Sequence, residues 1–143
     1  MKRISALICV VSCCTGCFSH PSDTVFRRRF VEKRDAFTAI VRDVEASRIS
    51  GYITPSQQAS ILRRLHSPLD RDDFHLAHRD DGSVLFGYSA YGLAIAGSRK
   101  GIAHVPAKSL RFYKVLSAEA AWPNEEGDFL KPLDGDWYIY VIN

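Results

Sequence analysis

The sequence predicts an α+β domain: an N-terminal helical hairpin packed on an antiparallel β-sheet of five to six short strands. Three observations predict it. Apolar residues recur with the helical period up to residue 66. From residue 73 the period changes to two. Glycine-containing turn signals, Asp80-Asp81-Gly82 and Gly97 to Gly101, then separate short runs, as an antiparallel meander requires. The composition, 46% hydrophobic and 24% charged, is that of a globular chain and excludes disordered or fibrous classes.

The chain begins with a segment of different character. Met1-Lys2-Arg3 is a short positive start, and Ile4 to Cys14 is apolar or small and uncharged. A stretch of about eleven such residues is too short to span a bilayer, which takes about 20, and fits the apolar core of an export signal. All four cysteines, Cys9, Cys13, Cys14 and Cys17, lie in this leader. A disulfide framework would scatter them through the fold, so they serve another purpose. The segment resembles the leaders of bacterial lipoproteins. Those end in an aliphatic residue, two small residues and a cysteine that is lipidated and becomes the mature N-terminus. Cys14-Thr15-Gly16-Cys17 matches at the last three places and departs at the first. Val10-Val11-Ser12-Cys13 matches the first place better, but leaves an apolar core of only about eight residues.

The resemblance implies lipidation at Cys17, with Cys13 as the alternative. It divides the chain into a signal peptide over 1–16, a lipidated tether over 17–22 and one α+β domain over 23–143. A body of about 127 residues is one domain of ordinary size. The implied acyl chains anchor it firmly, since each buried methylene contributes about 0.8 kcal/mol. In such lipoproteins Asp after the cysteine favours the inner membrane. Phe18 stands there, so the implied home is the outer membrane, facing the periplasm. The match covers the leader alone and says nothing of the domain.

Residues 23–48 read as a long amphipathic helix, with Phe26, Phe30, Phe37, Ile40, Val41 and Val44 on one side and a basic remainder. Ser22 or Asp23 can cap its start. Thr54-Pro55-Ser56-Gln57 begins a second helix: a cap, a proline at the first helical position and a glutamine placed for a capping box. At Asp80-Asp81-Gly82, a three-residue loop with Gly82 left-handed aligns Phe74, Leu76, Val84, Phe86 and Tyr88 on one face. Further strands are expected at 91–96, 102–105, 109–116 and 137–142. Residues 117–135 are a long connection, a kind of segment that is often functional.

Charge narrows the function. Without Lys2 and Arg3 the balance is 17 basic against 16 acidic side chains, so nucleic acid is not an expected partner. Residues 18–66 carry nine basic and five acidic side chains, and residues 67–143 carry eight and eleven. His75 and His78 are three apart beside aspartates, but a strand puts them on opposite faces, which argues against zinc. No Gly-x-Ser-x-Gly elbow or phosphate loop occurs, so neither catalytic residues, nor metal ligands, nor a cofactor is assigned.

The candidate binding residues lie in the long connection and just beyond it, where aromatic side chains meet five acids: Trp122, Glu125, Glu126, Asp128, Phe129, Asp134 and Asp136. The expected function is a membrane-anchored envelope lipoprotein that binds a protein or cell-wall partner without catalysis. The alternatives are an inhibitor or immunity-type protein against a basic periplasmic effector, and an envelope hydrolase. The expected partners are membrane lipid, through the acylated N-terminus, and a protein of the envelope.

Overall fold

The computed structural model describes residues 20–91 and 98–143, with backbone alone for residues 89–91. The leader with Cys13 and Cys17, and residues 92–97, which hold most of the strand expected at 91–96, lie outside the described residues.

Helix α1 (Asp23–Ser47) buries Phe26, Phe30, Phe37, Ile40, Val41 and Val44, the stripe expected from the period. It kinks at Lys33, between Phe30 and Phe37, whose rings stack at 6.2 Å. Strand β1 (Gly51–Tyr52) follows, then helix α2 (Pro55–Arg64). The capping box forms: the Thr54 hydroxyl accepts from the Gln57 N–H, and the Gln57 carbonyl accepts from the Thr54 N–H at 2.9 Å. Buried Gln58 then ties α2 to the sheet. Its amide donates to the Phe74 carbonyl, and its oxygen accepts from the Leu76 N–H. The helices are therefore joined through β1, where the sequence suggested a simple hairpin.

The sheet continues with β2 (His75–His78), β3 (Val84–Tyr91), β4 (Ser98–His104), β5 (Lys114–Val115), β6 (Asp128–Asp134) and β7 (Trp137–Ile142). Its order is β1-β2-β3-β4-β7-β6-β5. His78 pairs with Val84, the Arg79 N–H donates to the Ser83 carbonyl at 2.8 Å, and Gly82 has φ +88°. This is the three-residue loop the apolar stripe demanded.

Four expectations need correction. The turn expected at Gly97 to Gly101 is not there, since Ser98 to Gly101 belong to β4 and pair with β3. The sheet has seven strands and is mixed, because β5 runs parallel to β6. The strand expected at 109–116 is a 3-10 helix over Ala107–Phe112 followed by two-residue β5. Pro106 starts that turn, with the Ser109 N–H donating to its carbonyl. The long connection hides a full strand, β6, whose Lys131 and Pro132 interrupt any apolar alternation. Pro132 lies beyond the two residues of β6 that pair with β5, where a missing N–H is tolerated.

Two apolar clusters result, one on each face of the sheet. α1 lies over β4 and β7, and the first cluster joins its stripe to Leu76, Val84, Phe86, Ile102, Trp137 and Ile139. The second holds Leu85, Ala103, Val105, Tyr113, Leu130, Tyr138 and Tyr140 on the opposite face. Among the described residues, the 3-10 helix, through Leu110 and Tyr113, covers part of that second face.

Candidate functional site

The start of α1 sits against an ion cluster on the helix-covered face. Lys100 is in phase with Ile102 on β4, and Lys131 with Phe129 on β6, so both side chains point into the core. They are 4% and 3% exposed. One carboxylate answers both: Asp23 lies 2.6 Å from Lys100 Nζ and 2.8 Å from Lys131 Nζ. Trp122 closes the group. Its indole N–H donates to Asp23 at 2.9 Å, and its ring lies 5.3 Å from the Lys100 and 4.4 Å from the Lys131 ammonium. Burial alone would push the Asp23 carboxyl up. The hydrogen bonds from Lys100, Lys131 and Trp122, with the Lys100 charge, outweigh it and hold it at about 2.

The same cluster fixes the chain before the helix. Lys100 Nζ donates to the Pro21 carbonyl at 2.9 Å, and His20 Nε2 is 2.5 Å from Ser98 Oγ. Burial, and then the Lys100 charge, push the His20 imidazole below its usual value.

The second face holds a trough of about 390 Å³ where the 3-10 helix does not reach. Two glycines make it possible. Gly87 pairs with Gly101, which pairs with Tyr140. A Cβ on Gly101 would come within 2.0 Å of the Phe86 carbonyl oxygen and 2.9 Å of Tyr140 Cε1. A Cβ on Gly87 would meet the Tyr140 hydroxyl at 3.0 Å. The Tyr140 ring therefore reaches from β7 across β4 to β3, in the space two side chains would fill. Burial pushes its hydroxyl above the usual tyrosine value.

Ala77, Leu85 and Ile142 complete the floor, and Tyr52, His75 and Arg99 form the polar rim. Tyr52 is 59% exposed, with its ring 6.4 Å from that of His75. Among the described residues, no carboxylate, serine or threonine lines the trough. Outside it, Phe112 on the 3-10 helix and Val115 on β5 are 55% and 52% exposed. A larger dish of about 620 Å³ beside α2 is lined by Arg63, His66, Asp70, Arg71 and Asp72, charges of both signs on an open surface.

At the far end of the trough, Arg79 crosses the face to pair with Asp128 at 2.5 Å. Its guanidinium lies 5.4 Å from the Tyr113 ring. Burial pushes the Tyr113 hydroxyl up to about 12, against the influence of Ser83 and Arg79.

The residues singled out from the sequence do not form one patch. Trp122 belongs to the ion cluster and Phe129 is core. Glu125 pairs with Lys114 at 3.0 Å, Asp128 with Arg79, and Asp134 with Arg34 at 2.6 Å. Glu126 and Asp136 are exposed. Glu125, Glu126 and Asp128 lie at one end of β6, and Asp134 and Asp136 at the other, roughly 20 Å away at the rise of a strand. His75 and His78 are on opposite faces: His75 lines the trough, while His78 Nδ1 bonds the Ile49 carbonyl.

The sequence did carry signals for what was missed. Lys100 and Lys131 stand in the apolar phase of their strands, and an inward lysine needs a carboxylate. Tyr52, in a two-residue strand, left no such signal. Among the described residues, no group of three histidine, cysteine or acidic side chains gathers to hold a metal ion, and no helix is long and apolar enough to cross a membrane. Comparison with family models, with curated proteins and with solved structures returned no match.

Proposed function

We propose that this protein is a lipid-anchored binding protein of the cell envelope, which engages a partner through the open face of its sheet without catalysis. The observation that carries the reading is the half-covered second face. Tyr52, one of the four large apolar side chains exposed among the described residues, stands on the rim of the trough beside His75 and Arg99, above a floor of Ala77, Leu85 and Ile142. An apolar floor with an exposed aromatic and a charged rim is the mark of an interaction surface.

The address rests on the lipoprotein-like leader, with attachment at Cys17 or Cys13, at the outer membrane facing the periplasm. The ion cluster supports a close mounting. Only Phe18 and Ser19 separate Cys17 from His20, where the chain is already held to Ser98. Three residue steps reach about 10 Å, so the domain would ride directly on the bilayer.

Two measurements test the two halves. Metabolic palmitate labelling should mark the wild type and fail on the Cys13→Ser/Cys17→Ser double variant, which should leave the membrane fraction. Membrane retention of that variant defeats the anchor. Cross-linking in native envelopes should recover a partner with the wild type and lose it with Tyr52→Ala/Phe112→Ala. An unchanged cross-link defeats the surface.

A further inference from the structure

We infer that the trough receives an acidic polypeptide segment of the partner, one that sets apolar side chains beside carboxylates. The inference rests on the binding reading above and names the chemistry of what is bound. The first support is charge. The ionisable groups lining the trough are Tyr52, His75 and Arg99, with no carboxylate among them. Arg99 is exposed and, among the described residues, forms no ion pair. Asp128, whose strand β6 pairs with β7 at Ile142, is taken by Arg79. Within the 3-10 helix, Arg111 lies over the exposed Phe112 ring at 4.8 Å, adding a second cation beside an apolar side chain.

The second support is shape. Ala77, Leu85, Gly87 and Ile142 leave an apolar floor, and its volume is within the range of ordinary ligand sites. Outside it, Phe112 on the 3-10 helix and Val115 on β5 are further exposed apolar side chains. A single acyl chain in the trough would leave those uncovered. A polypeptide with alternating leucine and acid can fill the floor, meet Arg99 and extend toward Arg111. This reverses the polarity expected from the acidic connection, because Glu125 and Asp128 are occupied within the fold.

The test uses the full lipoprotein in nanodiscs of neutral lipid, titrated by fluorescence anisotropy. The probes are a labelled peptide alternating leucine and glutamate and its leucine–lysine counterpart. The acidic peptide should bind and the basic one should not. Arg99→Glu should weaken the acidic peptide roughly tenfold or more, as loss of a charge pair at an interface does, while Arg99→Lys retains most of the affinity. Ala77→Phe, which fills the floor, should also abolish binding. Equal affinity for the two peptides would overturn the proposal, as would indifference to Arg99→Glu. So would dodecanoate binding through Arg99 with neither peptide bound, which would make the occupant a lipid. If the envelope cross-link depends on Tyr52 and Phe112 but the acidic peptide does not bind, the binding surface stands and this inference alone fails.

Discussion

The two faces of the sheet share the same strands but are finished differently. On the first, α1 spans 25 residues and seals a continuous aromatic core, in which Phe37 lies 4.9 Å from Phe86 and 6.1 Å from Trp137. On the second, a six-residue 3-10 helix covers part of the surface and the rest is floored by a tyrosine lying over glycines. Their charges differ too. The closed face buries two lysines on one carboxylate, whereas the open face carries a one-to-one, partly exposed pair between Arg79 and Asp128. A closed face is organised for stability, and an open one leaves apolar area whose burial awaits another molecule.

Substitutions on the closed face should therefore act on folding, and those on the rim of the open face on binding. The largest effect is expected from Phe37→Ala, a loss of about 3 to 5 kcal/mol in urea denaturation, because its ring is fully buried. A loss under about 1 kcal/mol would mean that the core can collapse around the gap.

Asp23→Asn should come next, at about 3 kcal/mol, because it strands two buried ammonium groups. Residues 1–19 and 92–97 contain no acidic residue that can replace it. Lys131→Met should change stability far less, by under about 1 kcal/mol, since it leaves Lys100 and Asp23 paired one to one. The reverse order would show that the excess charge is compensated from elsewhere. The pair also has a pH signature. Asp23 titrates at about 2 in the fold against an ordinary 3.8, so its contribution is present above the higher value. It is lost as pH falls toward the lower one. The stability gap between wild type and Asp23→Asn should close across that interval, and a gap that persists would separate Asp23 from the effect.

Gly101→Ala should cost about 1 to 3 kcal/mol, because the added carbon meets backbone that can move only by shifting β3 against β4. Smallest of all, Tyr52→Ala should leave stability within about 0.5 kcal/mol while removing the envelope cross-link. A large stability loss at Tyr52 would make it a structural residue and erase the contrast between the faces.

Legibility followed the same division. The stripe of α1, the box at Thr54 and Gln57 and the loop at Gly82 were readable because each is a local pattern whose period or turn geometry has one good solution. The second face, and strand β6 with its contribution to both faces, were not. β6 carries a proline and a lysine inside the strand, and it is held by β7 and by an aspartate more than a hundred residues away. The acidic residues from Glu125 to Asp136 looked like one patch because they are close in sequence, but an extended strand carries them apart.

By itself, then, the sequence determined the class of the fold, the helix that seals one face and the register of the first hairpin. These depend on neighbours within a few turns or one loop. The tertiary structure alone decided that Asp23, Lys100, Lys131 and Trp122 meet, that Tyr140 lies over two glycines, and that the trough is apolar with a cationic rim. Those features are made by residues far apart in the chain. Their juxtaposition depends on strand order, which no local period encodes.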